Sequence, residues 1–491
     1  MSVRVTRWMF VAWTTVLLAA VPAASVDAAD PMPKGFARSA RTKLAHGVTH
    51  EVYVRRSPAL IVNVARVARD AAARWRVVQA SDVVGGGKDA LEPASAMCRR
   101  IRCVVAVNAD FFTPQGMPVG AVVSDGEPLH SPNARHHQLA IARDGALRAG
   151  QMEWTVRLVP TDLEDVAIDA VNKQRRRDEI VMYTASAGAS TRTNAFGSEL
   201  VARIVHPGDS LRVGSTSVVR LESFHPDSGD TVIPQDGFVL SGHGKGAAAL
   251  ARLWKRVRTG EASTEALLRV TSDPTASESV GGTPILLRDG KRWFADENRE
   301  FVRARAPRTA VGWTPAGETL VVTIDGRQPG YSTGATLAET AAILRGLGAR
   351  DAINLDGGGS TTFVRRGAVA NRPSDRLVKR GAARVVVAVP RAKDRVLANV
   401  ERPVANVLAL VLDDGSLGRV PMSVQPPRLD AGPVDGAAGD AASDPSSASS
   451  GGLVSVPAGD AASTPVTLAI GLAAVLGAVW LRRSKRSPIS G

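Results

Sequence analysis

Short apolar runs that end in polar residues recur along the chain, and two of them frame its most informative segment. Residues 320–324 (LVVTI) form a β-branched run typical of a buried strand, and the run ends at Asp325. Residues 352–355 form a second run, which ends at Asp356. Between them, apolar residues recur at helical spacing over residues 336–347. The pattern predicts strand, helix and strand, with an acidic residue at each strand end.

Similar runs occur earlier in the chain. Residues 45–80 read as consecutive strands, and residues 81–103 contain a glycine-rich turn and a helical stretch. Residues 104–107 are a further apolar strand, followed by Asn108, Asp110 and two phenylalanines. We expect residues 150–280 to form a β-rich part of the same domain. Together these elements predict an α+β fold, with a mixed β-sheet catalytic domain and packed helices.

Composition narrows the range of functions. The chain has 491 residues with ordinary hydrophobic and charged contents of 44% and 22%, so a sizeable core is expected. Its formal net charge of +14 suits an anionic partner, unless the basic residues are only solvated surface. They are spread along the chain, and no zinc-finger spacing, RNP signature or basic helix accompanies them. Nucleic acid is therefore not the expected partner.

The two cysteines, Cys98 and Cys103, are separated by four residues. This spacing does not match a CxxC redox motif, and no histidine pair nearby suggests zinc. A local disulfide is the simplest interpretation in an exported chain, with two buried free thiols as the alternative.

Both ends of the chain differ from its middle. Residues 1–29 have a basic start, an apolar run and small residues near Ala28, which predicts a signal peptide. Residues 416–465 predict a disordered linker or stalk. Residues 466–481 are uncharged and apolar, and predict one C-terminal transmembrane helix with residues 482–491 as a basic cytoplasmic tail. We therefore expect an exported protein at the cell surface or in the periplasm, tethered to the membrane.

The residues after Asp356 are three glycines, Gly357, Gly358 and Gly359, followed by Ser360 and Thr361. Glycines leave no side chain between the backbone and a ligand, and their N–H groups can form a nest that accepts an anion. A tight turn is the alternative interpretation of such a run. The strand-end acid on one side and the hydroxyl cluster on the other favour a ligand site.

Several motifs together resemble those of the phosphodiester glycosidase family, some of whose bacterial members are described as exopolysaccharide-related. They are residues 354–362 (NLDGGGSTT), residues 308–312 (RTAVG), the DGR and STG pieces between them, and the segment around Asn108 (NADFF). The resemblance covers about residues 45–411, most densely 281–375. In family members a segment like 371–375 lies close to one like 401–406; here about 25 residues separate them. This predicts an insertion at about 376–400 within a catalytic domain spanning residues 30–415.

The resemblance implies a hydrolase that cleaves a sugar-1-phosphodiester in a cell-envelope or extracellular glycoconjugate. Hydrolysis at a glycosidic carbon commonly uses two carboxyl groups, and a phosphate leaving group shifts the demand from an acid to cations that hold it. The predicted catalytic carboxylates are Asp356 first, then Asp325 and Glu339. Each has a structural alternative: Asp356 as a cap of the glycine turn, Asp325 as a partner of Arg327, and Glu339 as a charge at a helix start.

The expected substrate-binding residues share polar side chains or small size near those acids. They are Asn108, Asp110, Arg308, Arg327, Gly357, Gly358, Gly359, Ser360, Thr361 and Arg402. Arg380 is the alternative to Arg402, which the segment ERPVAN favours. Residues 330–334 (GYSTG) match GxSxG in spacing, but they do not directly follow an apolar strand as a nucleophile elbow does, and no histidine is placed for a Ser-His-Asp triad.

Two rival functions stay open at this stage. The first is a non-catalytic surface protein that binds anionic polysaccharide through its basic residues. The second is a metal-dependent phosphodiesterase, because Asp and Asn at strand ends also suit Mg²⁺ or Ca²⁺. No cofactor is assigned with certainty, and a divalent cation remains open.

Overall fold

The computed structural model describes residues 32–161, 163–206, 211–295, 299–380, 383–388 and 390–413. The predicted signal peptide, linker, transmembrane helix and basic tail lie outside the described residues. Across the residues that are described, no helix is long and apolar enough to span a membrane.

The strands are numbered in chain order. The first group is β1 Phe36–Ala45, β2 Val48–Arg56, β3 Ala59–Val67, β4 Ala73–Gln79, β5 Val105–Asn108, β6 Val122–Ser124, β7 Glu127–His130, β8 His137–Ile141 and β9 Leu147–Gly150. The second is β10 Glu153–Pro160, β11 Val166–Ile168, β12 Ala170–Val171, β13 Ile180–Thr184, β14 Gly197–Ile204, β15 Ser215–His225, β16 Gly237–His243, β17 Glu265–Asp273 and β18 Glu278–Gly282.

The third group begins the half that resembles the glycosidases. It is β19 Ile285–Arg288, β20 Lys291–Arg292, β21 Arg308–Trp313, β22 Thr319–Ile324, β23 Asp351–Asn354, β24 Phe363–Arg365, β25 Ala368–Val369, β26 Arg376–Arg380, β27 Ala383–Val387, β28 Arg395–Asn399 and β29 Asn406–Leu412. The α-helices are α1 Ala94–Arg100, α2 Lys245–Arg258, α3 Glu300–Arg303 and α4 Leu337–Gly346. Short 3₁₀ turns occupy Ala80–Asp82, Lys88–Ala90, Ala185–Ala187 and Gly358–Ser360.

These strands form five sheets. Sheet 1 has the order β1-β2-β3-β22-β21-β23-β19-β20, and sheet 2 has the order β11-β10-β17-β15-β14-β16-β13-β12. Sheet 3 is β7-β6-β18-β8-β9, sheet 4 is β25-β24-β5-β29-β4, and sheet 5 is β27-β26-β28. Neighbouring strands are antiparallel throughout the described pairs, except for the short parallel pair β12 and β13. The described domain is therefore mostly antiparallel sheet with few helices, so the expected α+β fold, a mixed sheet with packed helices, is confirmed only in part.

Sheet 1 is buried on both faces. Val64, Val322 and Ala352 pack with α4 on one face, whereas Val311 and Val321 join the core shared with sheets 3 and 4 on the other. Burial on both faces explains why β22 reads as an unbroken apolar run, with every residue buried. The predicted strand at 320–324 and helix at 336–347 are confirmed as β22 and α4.

Sheet 2 contains most of the region 150–280, which the sequence predicts to be β-rich. It has its own apolar core, and α2 packs on it through Leu250, Leu253 and Val257. Helix α2 is not among the elements predicted from the sequence, although its apolar residues recur three and four positions apart.

Strands β26, β27 and β28 form sheet 5. The main-chain N–H of Val400 donates to the carbonyl of Asp375 at 2.8 Å, so the two ends of this sheet meet. Three strands thus lie in the segment for which the sequence predicts an insertion.

Cys98 and Cys103 are joined in a disulfide, as the sequence predicts. Both residues are buried, in a small core that α1 forms with sheet 4. The bond closes the turn between α1 and β5, the strand that leads to Asn108.

Glu278 links sheets 3 and 4. Its carboxylate accepts main-chain hydrogen bonds from Val77 at 2.7 Å and Asp125 at 2.8 Å, and the residue is buried. Burial raises the pKa of Glu278 to about 8, against the opposing effect of those two hydrogen bonds.

A raised carboxyl pKa stabilises the fold only while the folded protein keeps the proton. Glu278 therefore supports stability below its ordinary pKa, and this support is lost as the pH rises from about 4.5 to about 8. We predict that Glu278→Gln reduces the fall in unfolding free energy between pH 5 and pH 8 by roughly 3 kcal/mol. Urea unfolding of both proteins at the two pH values measures this. Glu265→Gln, at an exposed ion pair with Arg220, is the control; equal pH dependence in all three proteins would contradict the prediction.

Candidate active site

The site lies at one edge of sheet 1, where β21 begins and its neighbours β22 and β23 end. Strand β21 lies between β22 and β23 and is antiparallel to both. The start of β21 therefore lies at the same edge as the ends of its two neighbours. This register places Arg308 opposite Ile324, the residue directly before Asp325. It also places Leu355, the residue after β23, next to β21, where its amide donates to the carbonyl of Thr309 at 2.9 Å. Antiparallel pairing thus brings Arg308, Asp325 and Asp356 to one edge.

Asp356 is partly exposed at this edge. Its carboxylate accepts the amide N–H of Gly357 at 2.9 Å. Desolvation of the carboxyl group raises the pKa of Asp356 to about 6, although Ser360, Arg402 and Arg327 favour its ionised form. The carboxylate is therefore ionised in most molecules at neutral pH and is accompanied by cations.

Asn108 fixes the main chain on which Asp356 stands. Its side-chain N–H donates to the carbonyl of Asp356 at 2.6 Å, and its oxygen accepts from the Thr309 hydroxyl at 2.7 Å and the Thr362 amide at 3.1 Å. Asn108 is fully buried. The structure gives it contacts within the protein, so it positions the site rather than facing a substrate.

Asp110 is buried two residues further along the chain. Its carboxylate accepts the amides of Gly120 at 3.1 Å and Gly281 at 3.0 Å. A Cβ on Gly281 would overlap with this carboxylate, so the glycine allows the close approach. Burial raises the pKa of Asp110 to about 7, with a smaller contribution from the charge of Asp356. As the pH rises, Asp356 therefore ionises before Asp110.

The glycine turn does not form the expected nest of free N–H groups. The amide of Gly357 binds Asp356, and that of Gly358 donates to the carbonyl of Pro307 at 2.9 Å. The amides of Ser360 and Thr361 close the 3₁₀ turn onto Gly357 and Gly358. Most donors of the turn are thus used within the protein. An anion here would depend mainly on neighbouring side chains.

Arg327 lies over this turn. A Cβ on Gly358 would lie 3.1 Å from Nη2 of Arg327, so a larger residue would crowd the guanidinium. Gly358 also has φ +62°, a conformation that favours glycine. Burial and the nearby Arg402 lower the pKa of Arg327, whereas Asp375 and Asp356 raise it. Within the described residues its guanidinium has no hydrogen-bond or ion-pair partner, and the residue is exposed. Arg327 therefore has donors available for a ligand.

Arg402 lies over the next glycine. It forms a two-point ion pair with Asp375, with distances of 2.8 and 3.1 Å, and its positive charge favours ionised Asp356. The alternative residue, Arg380, pairs instead with Asp394 in sheet 5. The geometry supports Arg402 as the arginine of the site.

Arg308 is buried beneath the cleft. Its side chain donates to the carbonyls of Ala335 at 3.0 Å, Phe301 at 2.9 Å and Ala304 at 2.7 Å. Burial, and then the charge of Arg327, lowers its pKa to about 10. Arg308 holds the chain on either side of the cleft together, and it adds positive charge without a carboxylate partner among the described residues.

Asp325 is fully engaged within the protein. Its carboxylate accepts hydrogen bonds from the Asn371 side chain at 2.8 Å, the Tyr331 hydroxyl at 3.0 Å and the Arg372 amide at 3.1 Å. Burial raises its pKa to about 6 against these bonds. Pairing with Arg327, the structural alternative for Asp325, is not among its contacts, and the observed bonds instead join Asp325 to the loops at residues 331 and 371–372.

Glu339 is also engaged. It completes a capping box with Thr336 at the start of α4, with bonds of 3.0 and 3.1 Å, and it pairs with Arg55 and Arg305 at 3.3 and 2.7 Å. Although burial opposes it, the bonds from Thr336, Arg305 and Arg55 lower its pKa. The structural alternative, a charge at the helix start, accounts for these contacts.

The hydroxyls after the turn differ in their availability. The Ser360 hydroxyl is buried without a hydrogen-bond partner among the described residues, close enough to Asp356 to favour its ionised form. Thr361 is buried, and its hydroxyl lies 3.5 Å from that of Thr309. Ser360 is therefore the better placed of the two to assist Asp356.

Aromatic residues flank the cleft. The ring centroid of Phe111 is 6.3 Å from that of Phe301 and 6.1 Å from that of His136. Phe301 is 40% exposed, and the guanidinium of Arg308 lies 5.1 Å from its ring centroid. Phe111 directly follows Asp110, so this aromatic group adjoins the polar residues.

Two neighbouring histidines lie close to this aromatic group. His136 and His137 are partly buried, their pKa values are lowered first by burial, and His137 begins β8. Among the described residues, no group of three or more His, Cys, Asp or Glu side chains is arranged to hold a metal ion.

Sequence reasoning overlooked two residues of the site. Asp375 was visible in the segment 371–375, where an acid at the end of a polar loop is a usable signal. Phe301 had none, because α3 is a short helix remote in sequence from the motifs. Its position beside Arg308 follows only from the fold.

Comparisons with known proteins show which family part of the chain resembles. Residues 215–411 match the family model described as phosphodiester glycosidase. A mouse protein, N-acetylglucosamine-1-phosphodiester alpha-N-acetylglucosaminidase, is 37% identical over 109 residues, which are 20% of this chain and 21% of the mouse protein. The alignment thus spans about a fifth of that relative's length.

Two solved structures share the fold. A hypothetical protein from Synechocystis superimposes with a TM-score of 0.55 at 21% identity, covering 75% of this chain and 63% of its own. A protein of Burkholderia pseudomallei K96243, described as exported, gives a TM-score of 0.54 at 21% identity, covering 77% of this chain and 97% of its own.

The fold and the edge site define a mostly β-sheet protein with an acidic residue among arginines. The sequence matches then show that residues 215–411 resemble the phosphodiester glycosidase family. The resemblance stated from the motifs is confirmed.

Gly359 tests the packing of the site. A Cβ there would overlap with the guanidinium of Arg402 and the carboxylate of Asp375. We predict that Gly359→Ala lowers the unfolding free energy by about 1–3 kcal/mol, because the ion pair must move. Urea unfolding measures the loss. Gly150→Ala is the matched control, since nothing lies within 4 Å of its Cβ position; an equal effect in both variants would contradict the prediction.

Proposed function

We propose that this protein hydrolyses a sugar-1-phosphodiester, with Asp356 as the reacting carboxylate. One observation carries the proposal: partly exposed Asp356 lies beside Arg327, whose guanidinium has no partner among the described residues. An acid beside an available cation suits a substrate whose scissile bond joins a sugar carbon to a phosphate oxygen.

The roles follow from the charges. Ionised Asp356 either attacks the anomeric carbon, forming a glycosyl ester that water then hydrolyses, or takes a proton from a water that attacks the anomeric carbon directly. The bond between that carbon and the phosphate oxygen breaks, and its electron pair remains on the phosphate. Arg327 binds the departing phosphate directly. Arg402, held by Asp375, contributes positive charge to the same region.

The other carboxyl groups serve the arrangement of the site. Asp325 and Glu339 hold loops and a helix start through the bonds described above, so the proposal does not assign them a chemical step. A phosphate leaving group departs readily, and this lessens the need for a second carboxyl as acid. Asp110 keeps its proton to higher pH than Asp356, so Asp356 is the more readily ionised of these two neighbouring carboxyl groups.

The sugar is proposed to lie against the aromatic residues Phe111 and Phe301. The apolar face of a pyranose ring suits an exposed aromatic side chain next to polar groups. The name of the mouse relative mentions N-acetylglucosamine, and we propose this sugar as the first to test. A cell-envelope or extracellular glycoconjugate is the proposed source.

Location is also a proposal. The basic, apolar start of residues 1–29 and the apolar run at 466–481 support an exported protein tethered at its C-terminal end. Membrane fractionation of the source cells, followed by protease treatment of intact cells, tests this. Protein found only in the soluble cytosolic fraction would contradict it.

We predict that Asp356→Asn lowers the hydrolysis rate at least about 1,000-fold, because the neutral amide neither attacks carbon nor accepts a proton. The substrate is the methyl phosphodiester of N-acetylglucosamine 1-phosphate, beside matched glucose and galactose compounds, with released sugar measured by chromatography. Asp289→Asn, an exposed carboxylate paired with Arg350, is the control.

Two results would overturn the assignment. One is unchanged turnover in Asp356→Asn. The other is no turnover of any sugar by the unaltered protein together with salt-sensitive binding of anionic polysaccharide, which would favour the non-catalytic function. Parallel assays with a chelator, and with Mg²⁺ or Ca²⁺ restored, test the metal-dependent phosphodiesterase.

The pH profile tests the charge of Asp356. Its pKa of about 6 predicts that kcat/KM falls as the pH drops below about 6, because protonation removes the reactive form. Arg327 favours the ionised form, so Arg327→Gln should move this fall to higher pH and reduce kcat/KM. Arg252→Gln is the control, because it removes the same charge from an exposed position on α2, and it should leave the pH profile unchanged. A fall at the same pH in both variants would count against the proposed role.

A further inference from the structure

A second cavity lies between sheet 2 and the loop that follows Phe111. Its volume is about 460 Å³, within the range of small-ligand sites. Gln115 and Met117 line one side, and residues 172–175 and 191–194 line the other. It does not include Asp356 or the arginines of the candidate active site.

Three basic residues line this cavity: Lys173, Arg175 and Arg192. None forms an ion pair with a carboxylate among the described residues, and their observed partners are neutral. Lys173 donates to the carbonyl of Pro132 at 2.6 Å, and Arg192 donates to the carbonyl of Ala187. The cavity therefore contains positive charge that the described protein does not neutralise by direct pairing.

The three residues differ in their spare donors. Both terminal nitrogens of Arg175 already donate hydrogen bonds. One donates to the Ser241 hydroxyl at 2.7 Å, and the other donates to the side-chain oxygen and the carbonyl of Asn194 at 2.8 and 2.9 Å. Lys173 and Arg192 each have one hydrogen bond and keep further N–H groups available. These two residues, rather than Arg175, are placed to contact a ligand.

The two carboxylates near the cavity, Glu199 and Glu179, already accept hydrogen bonds from other groups of the protein. Buried Glu199 accepts from the hydroxyls of Thr191 and Thr193 at 2.9 and 2.8 Å, and from the amide of Thr231 at 2.9 Å. Glu179 is within electrostatic range of Lys173 and accepts the amide of Arg176 at 3.0 Å. Neither carboxylate bonds to the cavity cations, so an anion from outside has room to do so.

The rim adds features that suit a sugar. Thr193 and Asn194 bring polar groups to the lining. Phe196, two residues beyond, is 78% exposed, and its amide donates to the Asn194 side chain at 3.2 Å. Hydroxyl and amide groups beside an exposed aromatic ring match the mixed polar and apolar surface of a saccharide.

We propose that this cavity binds an anionic saccharide unit, with Lys173 and Arg192 contacting its anionic group. The site is separate from the Asp356 cleft, and its occupancy does not require hydrolysis there. It gives the protein a second point of attachment to a negatively charged glycan.

The experiment is calorimetric titration of the full chain with glucose 1-phosphate, glucuronic acid and neutral glucose. The chain carries Asp356→Asn and Arg327→Gln, so that the other cleft contributes neither turnover nor an available arginine. At least one anionic probe should bind more tightly than glucose. The tighter of the two identifies phosphate or carboxylate as the preferred group.

Adding Arg192→Gln should weaken binding of that anionic probe about tenfold or more, through the loss of a charged hydrogen-bond donor. Arg192 is exposed, so the fold should tolerate the change. Lys173→Met should produce a similar loss. The matched control is Arg177→Gln, nearby in sequence and 85% exposed, which should leave affinity unchanged. Thermal unfolding checks each variant.

A hydrolysis assay distinguishes binding at the second cavity from the reaction proposed at Asp356. In the otherwise unaltered chain, Arg192→Gln should keep turnover of the small methyl phosphodiester while losing binding to the second cavity. Equal affinity for anionic and neutral probes, or equal losses in Arg192→Gln and Arg177→Gln, would overturn the proposal whatever the result for Asp356.

Discussion

The candidate site depends on one buried amide side chain. Asn108 belongs to sheet 4, whereas Thr309 and Asp356 belong to sheet 1 and its edge, and its two polar atoms connect all three. The amide of Asp356 also donates to the carbonyl of Ala109 at 3.0 Å. These bonds lie in a buried environment, where an unpaired polar group is costly. The position of Asp356 is therefore set by the junction of two sheets.

The electrostatics of the site follow from that junction. Burial at the sheet edge raises the pKa of Asp356, and arginines gathered at the same edge oppose the rise. Arg402 is neutralised by Asp375, and Arg308 is bound to carbonyl groups, so Arg327 retains the most accessible positive charge. The glycine turn lies between Asp356 and the Arg327 guanidinium, and its glycines place no side chain between the two charged groups. The small residues matter because they let the guanidinium groups lie close to the backbone.

Much of this arrangement was predictable from sequence, and the reasons differ by element. Strand β22 and helix α4 have strong local patterns, so their positions were evident. Asp356 and Arg327 stand in compact motifs. The sequence could not show that the turn amides are consumed by Pro307 and by the turn itself, because that depends on a contact across the fold. Likewise, Asp325 reads as a free strand-end acid until Tyr331, Asn371 and Arg372 fold onto it.

Sheet 5 has a consequence for how such a cleft can vary. Asp375 precedes it and Arg402 follows it, and the ion pair between them ties its base closed. At the same place the side chain of Arg376 donates to the carbonyl of Arg327 at 3.3 Å. A segment tied at its base can change in length at little cost to the rest of the fold. Natural relatives or engineered hybrids can therefore exchange this sheet for shorter or longer ones, and so reshape the rim of the cleft while its charges stay in place.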